Sequence, residues 1–411
     1  MAHPVYLDNA ATTPLDPRVL EAMLPHMGVR RGNPSSLHAL GVTAREAVEG
    51  ARDLVAALVG ASPGEIVFTS GGTEANNLAI LGLARAAPNG KRHAVVSRVE
   101  HAAVREAARR LESEGFEVTP VEVDEDGLVN PAALAAALRP DTALAAVMWA
   151  NNEVGTVEPV RELAEICAER EVPFHADAVQ AAGRVPLDVG RVPVVTLALS
   201  GHKLYGPQGI GALYVREGVP IEPTSYGGGQ ERGLRSGTQN VAGIVGLGAA
   251  ARLAREELDE RVAHERGLRD AIIAGVAGIP DVRLNGQLAR RLSNNVHLTV
   301  DGVEAESLVL FLDALGYAIG SGSACSSGGH KASPVLLAMG RDEQEAFSVV
   351  RITIGKNNTG GEIEGFLEAF SEAVARLREL SPLYEIEFSS QDSALRFRRS
   401  AQSQRRHQRR R

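Results

Sequence analysis

The chain has 411 residues with a formal net charge of −8, and 44% of its residues are hydrophobic. That length exceeds the usual size of one domain and supplies a sizeable core, so two domains are expected. The two cysteines, Cys167 and Cys325, exclude a disulfide framework or a metal knuckle and favour a reducing compartment, with the cytosol as the default. We find no targeting segment and no apolar run of roughly 18 residues, which excludes a membrane span.

The charge is distributed unevenly along the chain. Residues 396–411 contain eight arginines and no acidic residue, so the remaining residues carry a net charge of −16. An acidic body is a poor binder of nucleic acid, whereas an arginine-rich tail without apolar periodicity predicts a disordered arm. Two interpretations of this tail stay open: an arm that contacts RNA, DNA or acidic proteins, and a merely solubilising segment.

Helical and short apolar β-like patterns alternate between residues 45 and 215, which predicts an α/β domain with a largely parallel sheet. Three strands end in polar groups. A strand at Ile66–Thr69 runs through a Gly-Gly turn into a helix, a second strand ends on Asp177, and a polar hinge carrying Lys203 follows a third. Because open α/β sheets bind ligands at the carboxyl ends of their strands, these junctions predict a ligand site.

The pattern changes near residue 259 to an amphipathic helix, a strand in LSNNVHLTV, a Gly/Ser loop around Cys325, a strand in SVVRITIG and a closing helix. This order predicts a second, α+β domain, and no internal repeat is visible. The expected divisions are a large domain at 16–258, a small domain formed by 1–15 with 259–385, and a C-terminal extension at 386–411.

Gly71, Gly72 and Thr73 open a helix, where free backbone N–H groups and the positive helix end attract an anion such as phosphate. The alternative is that the glycines only make a tight turn. The chain contains no complete G-x-G-x-x-G or G-x-x-x-x-G-K-[ST] motif, which weakens a dinucleotide or nucleoside triphosphate interpretation.

Lys203 lies in a polar hinge framed by β structure, where partial desolvation makes the neutral amine available for a Schiff base. Asp177 ends a neighbouring strand pattern and offers a carboxylate to a ring nitrogen. A phosphate cradle, a strand-end lysine and a strand-end aspartate together meet the needs of pyridoxal 5'-phosphate.

Three further residues have competing interpretations. His101 is either a structural histidine or a functional one at another strand-to-helix junction. Arg351 lies inside an apolar strand and must face a carboxylate, either a structural acid or a substrate. Cys167 follows a helical apolar pattern and is predicted to be a small core residue.

Ordered motifs over nearly the whole chain resemble the cysteine desulfurases, pyridoxal-phosphate enzymes of the class V aminotransferase group. The resemblance implies fold type I, with a mainly parallel seven-stranded sheet in the large domain and a smaller α+β C-terminal domain. The motifs are YLDNAATTP (6–14), GNPSSLH (32–38), TSGGTEANN (69–77), EHAAV (100–104), NNEVGT (151–156), HADAVQ (175–180), SGHKLYGPQGIGALYVR (200–216), GGGQERGLRSGT (227–238), GSACSSG (322–328) and VRITIG (350–355).

The resemblance implies a role for each matching residue. Lys203 would carry the cofactor as a Schiff base, Asp177 would pair with its ring nitrogen, and His101 would stack on the ring and shuttle protons. Arg351 would grip the substrate carboxylate. The remaining cofactor contacts would be made by phosphate-binding Gly72, Thr73, Ser200 and His202, by Thr238 from a second subunit, and by Asn152 and Gln180, of which Asn152 would also contact substrate.

In this family the loop cysteine, here Cys325, takes sulfur from L-cysteine as a persulfide and leaves alanine. The long loop around it matches the group with a mobile cysteine loop that carries sulfur to an acceptor. The implied partners are a second copy of the chain in a homodimer and a sulfur acceptor such as an iron–sulfur cluster scaffold or a tRNA thiolation enzyme, with thiamine synthesis as another destination. No resident metal is expected, although Cys325 could contact an iron–sulfur cluster during transfer.

Two departures from the family pattern stand out. Ala332-Ser333-Pro334 replaces a common Pro-Ser-His after the loop, and the arginine tail extends past LYEIEF, where relatives tend to end. Rival interpretations with the same cofactor are a selenocysteine lyase and an aminotransferase, although transamination does not need the loop cysteine. A third, from another class, is a sulfur-delivery or assembly platform whose binding role dominates.

Overall fold

The computed structural model describes residues 4–322 and 332–380, so the predictions for Cys325 and for the arginine tail lie outside the described residues. The strands are β1 (Val5–Leu7), β2 (Ile66–Thr69), β3 (His93–Ser97), β4 (Glu117–Val121), β5 (Thr142–Ala146), β6 (Phe174–Asp177), β7 (Thr196–Ser200), β8 (Gly211–Val215), β9 (Val282–Leu284), β10 (Asn295–Val300), β11 (Tyr317–Ser321) and β12 (Val349–Thr353).

The helices alternate with the strands through most of this region. They are α1 (Pro17–Met27), α2 (Ala39–Val59), α3 (Gly72–Ala86), α4 (Ala102–Ser113), α5 (Pro131–Ala137), α6 (Val160–Glu169), α7 (Val241–Glu256), α8 (Leu258–Val276), α9 (Ala305–Ala314), α10 (Pro334–Ala338), α11 (Glu343–Phe347) and α12 (Gly360–Leu380). None of them, within the residues described, has the length and hydropathy to cross a membrane.

Seven strands form the larger sheet, in the order β2-β8-β7-β6-β5-β3-β4. All neighbours are parallel except β8, which runs antiparallel to both β2 and β7. The central strands β5, β6 and β7 are buried along their whole length, as expected for parallel strands covered by helices on both faces. The predicted fold class, a largely parallel α/β sheet with a second α+β part, is confirmed.

Five strands form the second sheet, in the order β1-β11-β12-β10-β9. Strand β1 comes from the N-terminal segment and pairs in parallel with β11, from Val5 opposite Tyr317 to Leu7 opposite Ile319. A separate apolar core packs α8, α9 and α12 against this sheet. The predicted division after residue 258 falls at the first residue of α8, and the domain boundaries stay a prediction.

Candidate active site

A cavity of about 300 Å³ lies at the carboxyl ends of β6 and β7 and at the N-terminus of α3, and Arg351 of β12 reaches it from the second sheet. Ten of the residues predicted for the site line it together. The full lining comprises Ala10, Ala11, Gly72, Thr73, Asn76, His101, Met148, Asn152, Asp177, Val179, Gln180, Ser200, His202, Lys203 and Arg351.

One end of the cavity has the character of an anion site. Helix α3 begins at Gly72, and a Cβ added there would lie 2.7 Å from Cγ2 of Val179, so glycine lets the helix start close to this wall. Its first turn leaves backbone N–H groups without intrahelical partners beside the buried Ser200. Burial and the neighbouring Lys203 lower the pKa of His202 to about 4, so its ring is neutral near pH 7.

Asp177 is almost fully buried and is held by two hydrogen bonds. Oδ1 accepts from the backbone N–H of Val179 at 2.9 Å, and Oδ2 accepts from Nδ2 of Asn76 at 2.6 Å. Asn76 Oδ1 lies 2.9 Å from Nε2 of His175, whose Nδ1 lies 2.9 Å from the Thr196 hydroxyl. Burial lowers the pKa of His175 to about 3, so the ring is neutral and must donate from Nε2 to the Asn76 oxygen.

This chain therefore runs Thr196, His175, Asn76, Asp177, with each donor directed toward the carboxylate. We did not predict Asn76 or His175 as site residues. Two signals were present in the sequence: Asn76 lies one helical turn after Gly72, and His175 lies two residues before Asp177 on the same face of β6.

Lys203 follows β7 in a short 3-10 turn, Gly201–Lys203, and is half-buried. Its Nζ donates to the carbonyl oxygen of Ala11 at 2.6 Å and also to that of Ala10. Gln180 donates from Nε2 to the same Ala10 oxygen at 3.0 Å. The YLDNAATTP segment thus closes one wall of the cavity around the lysine, through a contact between residues 192 positions apart in the chain.

His101 is the N-cap of α4, and its Nδ1 accepts a hydrogen bond from the backbone N–H of Ala103 at 3.1 Å. Burial lowers the pKa of the ring, while Asp177 acts in the opposite direction. A neutral ring with Nδ1 as acceptor must carry its proton on Nε2. His101 therefore has both a capping contact at Nδ1 and a place in the cavity wall, and its functional interpretation stays a prediction.

The Arg351 guanidinium is buried, with only 2% of its side chain exposed. Nη2 donates to Asp8 Oδ1 at 2.8 Å, and Nη1 donates to the backbone carbonyl of Asn152 at 3.0 Å. Gly320 permits this pair, because a Cβ there would lie 2.7 Å from the Asp8 carboxylate. The sequence left two carboxylate partners open for Arg351, a structural acid and a substrate. The structural acid is present as Asp8, and Arg351 also lines the cavity.

Glu153, next to Asn152, is a buried carboxyl that the sequence reasoning did not single out. It accepts a hydrogen bond from the Ser333 hydroxyl, which caps α10 two residues after the segment that is not described. Burial raises the pKa of Glu153 to about 7. This contact ties the NNEVGT segment to the chain that follows the cysteine loop.

Among the predicted site residues that the structure describes, Thr238 is the one that does not line the cavity of its own chain. Its side chain is exposed, and Cys325 lies outside the described residues. Cys167 is fully buried on α6, and burial raises its thiol pKa to about 12, so the prediction of a core residue is confirmed.

The family model and the similar proteins point to the same family. The aminotransferase class-V family model matches residues 5–366. A cysteine desulfurase IscS of Neisseria meningitidis serogroup C is 49% identical over 386 residues, which cover 93% of this chain and 95% of that protein.

Two solved structures are similar as well. A NifS-like protein superposes with a TM-score of 0.86 at 38% identity, covering 90% of this chain and 99% of the other. SspA in complex with cysteine superposes with a TM-score of 0.76 at 36% identity, covering 86% of this chain and 100% of the other. By the extent of the family model and by these identities, the chain belongs to the aminotransferase class-V family.

Proposed function

We propose that the protein is a pyridoxal 5'-phosphate-dependent cysteine desulfurase that converts L-cysteine to L-alanine and receives the sulfur on Cys325 as a persulfide. The observation that carries the proposal is the meeting of Lys203, Asp177, His101 and Arg351 in one cavity. A relative that is 49% identical over most of the chain is named a cysteine desulfurase, and a structural neighbour is described in complex with cysteine.

The residues present fit the cofactor. An α-helix N-terminus with Gly72 and Thr73, flanked by Ser200 and His202, is suited to a phosphate. Lys203 supplies the amine that joins the aldehyde, and the buried Asp177 carboxylate supplies the acceptor for a protonated ring nitrogen. Asn152, Gln180 and His101 complete the walls between these two ends.

When bound, pyridoxal phosphate withdraws electrons from an amino acid joined to it, which makes bonds near the amino acid's α-carbon easier to break. The protein's own side chains fix the charged groups that would contact the cofactor, the Asp177 carboxylate first among them. Asn76 and the Val179 N–H fix the Asp177 carboxylate, and His175 fixes Asn76. The apolar side chains of Met148 and Val179 help to keep the cavity dry.

His101 and Arg351 act on the substrate. The neutral His101 ring carries its proton on Nε2 and can donate a hydrogen bond to the substrate from there. To act as a base the ring must take up a proton on Nδ1, which breaks the hydrogen bond from the Ala103 N–H, and the imidazolium so formed can then release its Nε2 proton. Arg351 orients the substrate carboxylate, for which a planar guanidinium gives two parallel hydrogen bonds. Because Asp8 occupies Nη2, the substrate carboxylate must share or displace that contact.

The overall reaction balances without an external oxidant. The carbon–sulfur bond of cysteine breaks and a sulfur–sulfur bond to the Cys325 thiolate forms. The carbon is reduced to the methyl group of alanine and receives the proton that the substrate thiol carried, while the transferred sulfur is oxidised to the sulfane level. The thiolate is the attacking form, so the protein must provide a deprotonated Cys325.

We also propose a homodimer in which Thr238 of each chain reaches the phosphate site of the other. Its support is that Thr238 is exposed and absent from its own cavity, although it belongs to the GGGQERGLRSGT motif. The sulfur acceptor would be a second protein, such as an iron–sulfur scaffold or a tRNA thiolation enzyme, in the cytosol, where a free reactive thiol persists.

The test is turnover of L-cysteine by the cofactor-loaded protein with dithiothreitol as sulfur acceptor. We expect alanine and sulfide in equal amounts, and loss of both in Cys325→Ala. Parallel reactions with L-selenocysteine and with cysteine plus a keto acid test the rival activities. Transfer of the amino group without sulfide, or selenide release with no turnover of cysteine, would refute the proposal in favour of an aminotransferase or a selenocysteine lyase.

A further inference from the structure

Thr238 lies in a loop at residues 227–239. The residues on either side of it, Gly237 and Gln239, are held by two adjacent residues of that loop, Gln230 and Glu231. The side-chain Oε1 of Gln230 accepts a hydrogen bond from the backbone N–H of Gly237 at 2.9 Å. The next residue, Glu231, accepts one from Nε2 of Gln239 at 2.6 Å. Both chain neighbours of Thr238 are therefore fixed by Gln230 and Glu231, and the threonine itself stays exposed.

Glu231 is anchored in the body of the large sheet. Its carboxylate makes a two-pronged ion pair with Arg52 of α2, with Nη1 to Oε2 at 2.7 Å and Nη2 to Oε1 at 2.9 Å. Oε2 also accepts from the backbone N–H of Phe68 in β2 at 2.8 Å. The side chains of Arg52 and Glu231 are 4% and 1% exposed, so solvent screens this pair very little.

Two non-glycine residues of the loop have an unfavourable backbone conformation. Glu231 and Arg232 have φ values of 45° and 56°, in the left-handed region that residues with a Cβ rarely enter. Such conformations persist when the surrounding contacts over-determine them, and they concentrate at functional sites. The Arg52 pair and the Phe68 N–H are contacts of that kind.

The Glu231 carboxylate stays ionised although it is buried. Burial alone would raise its pKa, but the hydrogen bond and charge of Arg52, with the Phe68 N–H and Gln239, bring the pKa below its ordinary value. A second link, from Arg235 to Glu74 at 2.9 Å, joins the loop to the first turn of α3. The loop is thus fixed to both the strand and the helix that form the phosphate turn of its own chain.

From these contacts we infer that Glu231, anchored by Arg52 and helped by Gln230, is a positioning residue that sets the place of Thr238 in the partner chain's phosphate site. The inference rests on the proposed homodimer and cofactor. It assigns a function to a buried ion pair that touches neither cofactor nor substrate. Loss of the Glu231 carboxylate should therefore lower the affinity of the opposite subunit for the cofactor.

A first experiment measures the dissociation constant of pyridoxal phosphate for single variants by equilibrium dialysis. Glu231→Gln should weaken binding about tenfold, the effect of losing a charge-assisted hydrogen-bond set. The control, Glu49→Gln, removes the other carboxylate on Arg52, at 3.0 Å, which is 56% exposed and outside the loop. It should bind the cofactor as the wild type does, and Gln230→Ala, at a partly exposed position, should show a smaller loss than Glu231→Gln.

A second experiment decides which subunit is affected, using mixed dimers purified through two different affinity tags. In the first, one chain carries Glu231→Gln and the other Lys203→Ala. The only lysine-containing site then receives Thr238 from an intact loop, and binding should match the wild type. In the second, one chain carries both changes and the other is wild type, so the only lysine-containing site receives Thr238 from the altered loop and should bind about tenfold more weakly.

The visible absorbance of the cofactor joined to Lys203 reports only the lysine-containing site in each mixed dimer. The reverse pattern, or equal affinities in the two dimers, would overturn the inference, as would a monomeric wild-type chain or wild-type affinity in the Glu231→Gln homodimer. A wild-type protein that binds the cofactor but makes no alanine from cysteine would instead refute the proposed activity and leave this comparison intact.

Discussion

The two ends of the cavity are built in different ways. At the end proposed for the cofactor, Thr73, Asp177 and Lys203 come from the carboxyl ends of three strands of one seven-stranded sheet, β2, β6 and β7. At the end proposed for the substrate, the Arg351 guanidinium comes from the five-stranded sheet and is held by Asp8, 343 residues away in the chain, and by the Asn152 carbonyl. One end is thus a property of a single sheet, and the other depends on contacts between the two sheets.

The largest effect is expected at the cofactor end. Lys203 is the only amine among the cavity-lining side chains in the described part of the chain, so Lys203→Ala should lower kcat on cysteine roughly a thousandfold or more. Lys203→Arg keeps the positive charge but not the nucleophilic amine and should be equally inactive. Turnover by either variant within tenfold of wild type would contradict the assigned role.

At the substrate end, Arg351→Lys should raise KM for cysteine about 10- to 100-fold, because lysine cannot make the two parallel bonds of a guanidinium. Cofactor affinity should not change, which separates the two ends. The companion variant Asp8→Asn keeps the side-chain shape and removes the competing charge, so its KM should not rise. A similar rise in both variants would show that Arg351 is needed for its Asp8 pair and not for substrate.

A smaller effect is expected for the support of Asp177. Asn76→Ala removes the amide that donates to the carboxylate and should weaken pyridoxal phosphate binding about tenfold. The neighbouring Asn77 bonds instead to the backbone carbonyl of Thr73 and supplies a matched control. Equilibrium dialysis should show little change for Asn77→Ala, and equal losses in the two variants would mean that α3 itself had been disturbed.

The pH dependence of stability compares the two sheets directly. Burial lowers the pKa of His175 in the large sheet and of His297 in the second sheet from 6.5 to about 3. Between these values the unfolded chain binds protons that the folded chain does not, so stability is present above pH 6.5 and is lost as the pH falls. Each histidine should contribute a slope of about 1.4 kcal/mol per pH unit.

Denaturant unfolding of His175→Gln and His297→Gln between pH 6 and 5 measures these slopes. Each variant should show a flatter loss of unfolding free energy than the wild type. A wild-type slope in either variant would mean that the histidine concerned is already protonated in the folded protein.

Much of the cofactor end could be predicted from the sequence, because strand-to-helix junctions are local. The turn at Gly72, the strand end at Asp177 and the hinge at Lys203 each lie within a few residues of an apolar strand. Asn76 and His175 were missed although they obey the helical and strand periods, because neither carries an unusual residue pattern of its own.

The substrate end was less accessible to sequence reasoning. An arginine inside an apolar strand predicted a carboxylate partner but could not identify Asp8, since their contact depends on β1 pairing with β11 and β11 with β12. The Glu153 bond to Ser333 and the Arg52 pair with Glu231, across 180 and 179 residues, were missed for the same reason. Long-range contacts are set by topology, which no local pattern contains.

The most direct test of the proposed function is a single turnover of L-cysteine without any reductant, followed by mass spectrometry of the intact protein and its peptides. Cys325 should gain the mass of one sulfur atom for each alanine formed, while Cys167, buried with a pKa of about 12, should gain none. Alanine formed at the wild-type rate by Cys325→Ala, or sulfur found on Cys167 instead, would contradict the account.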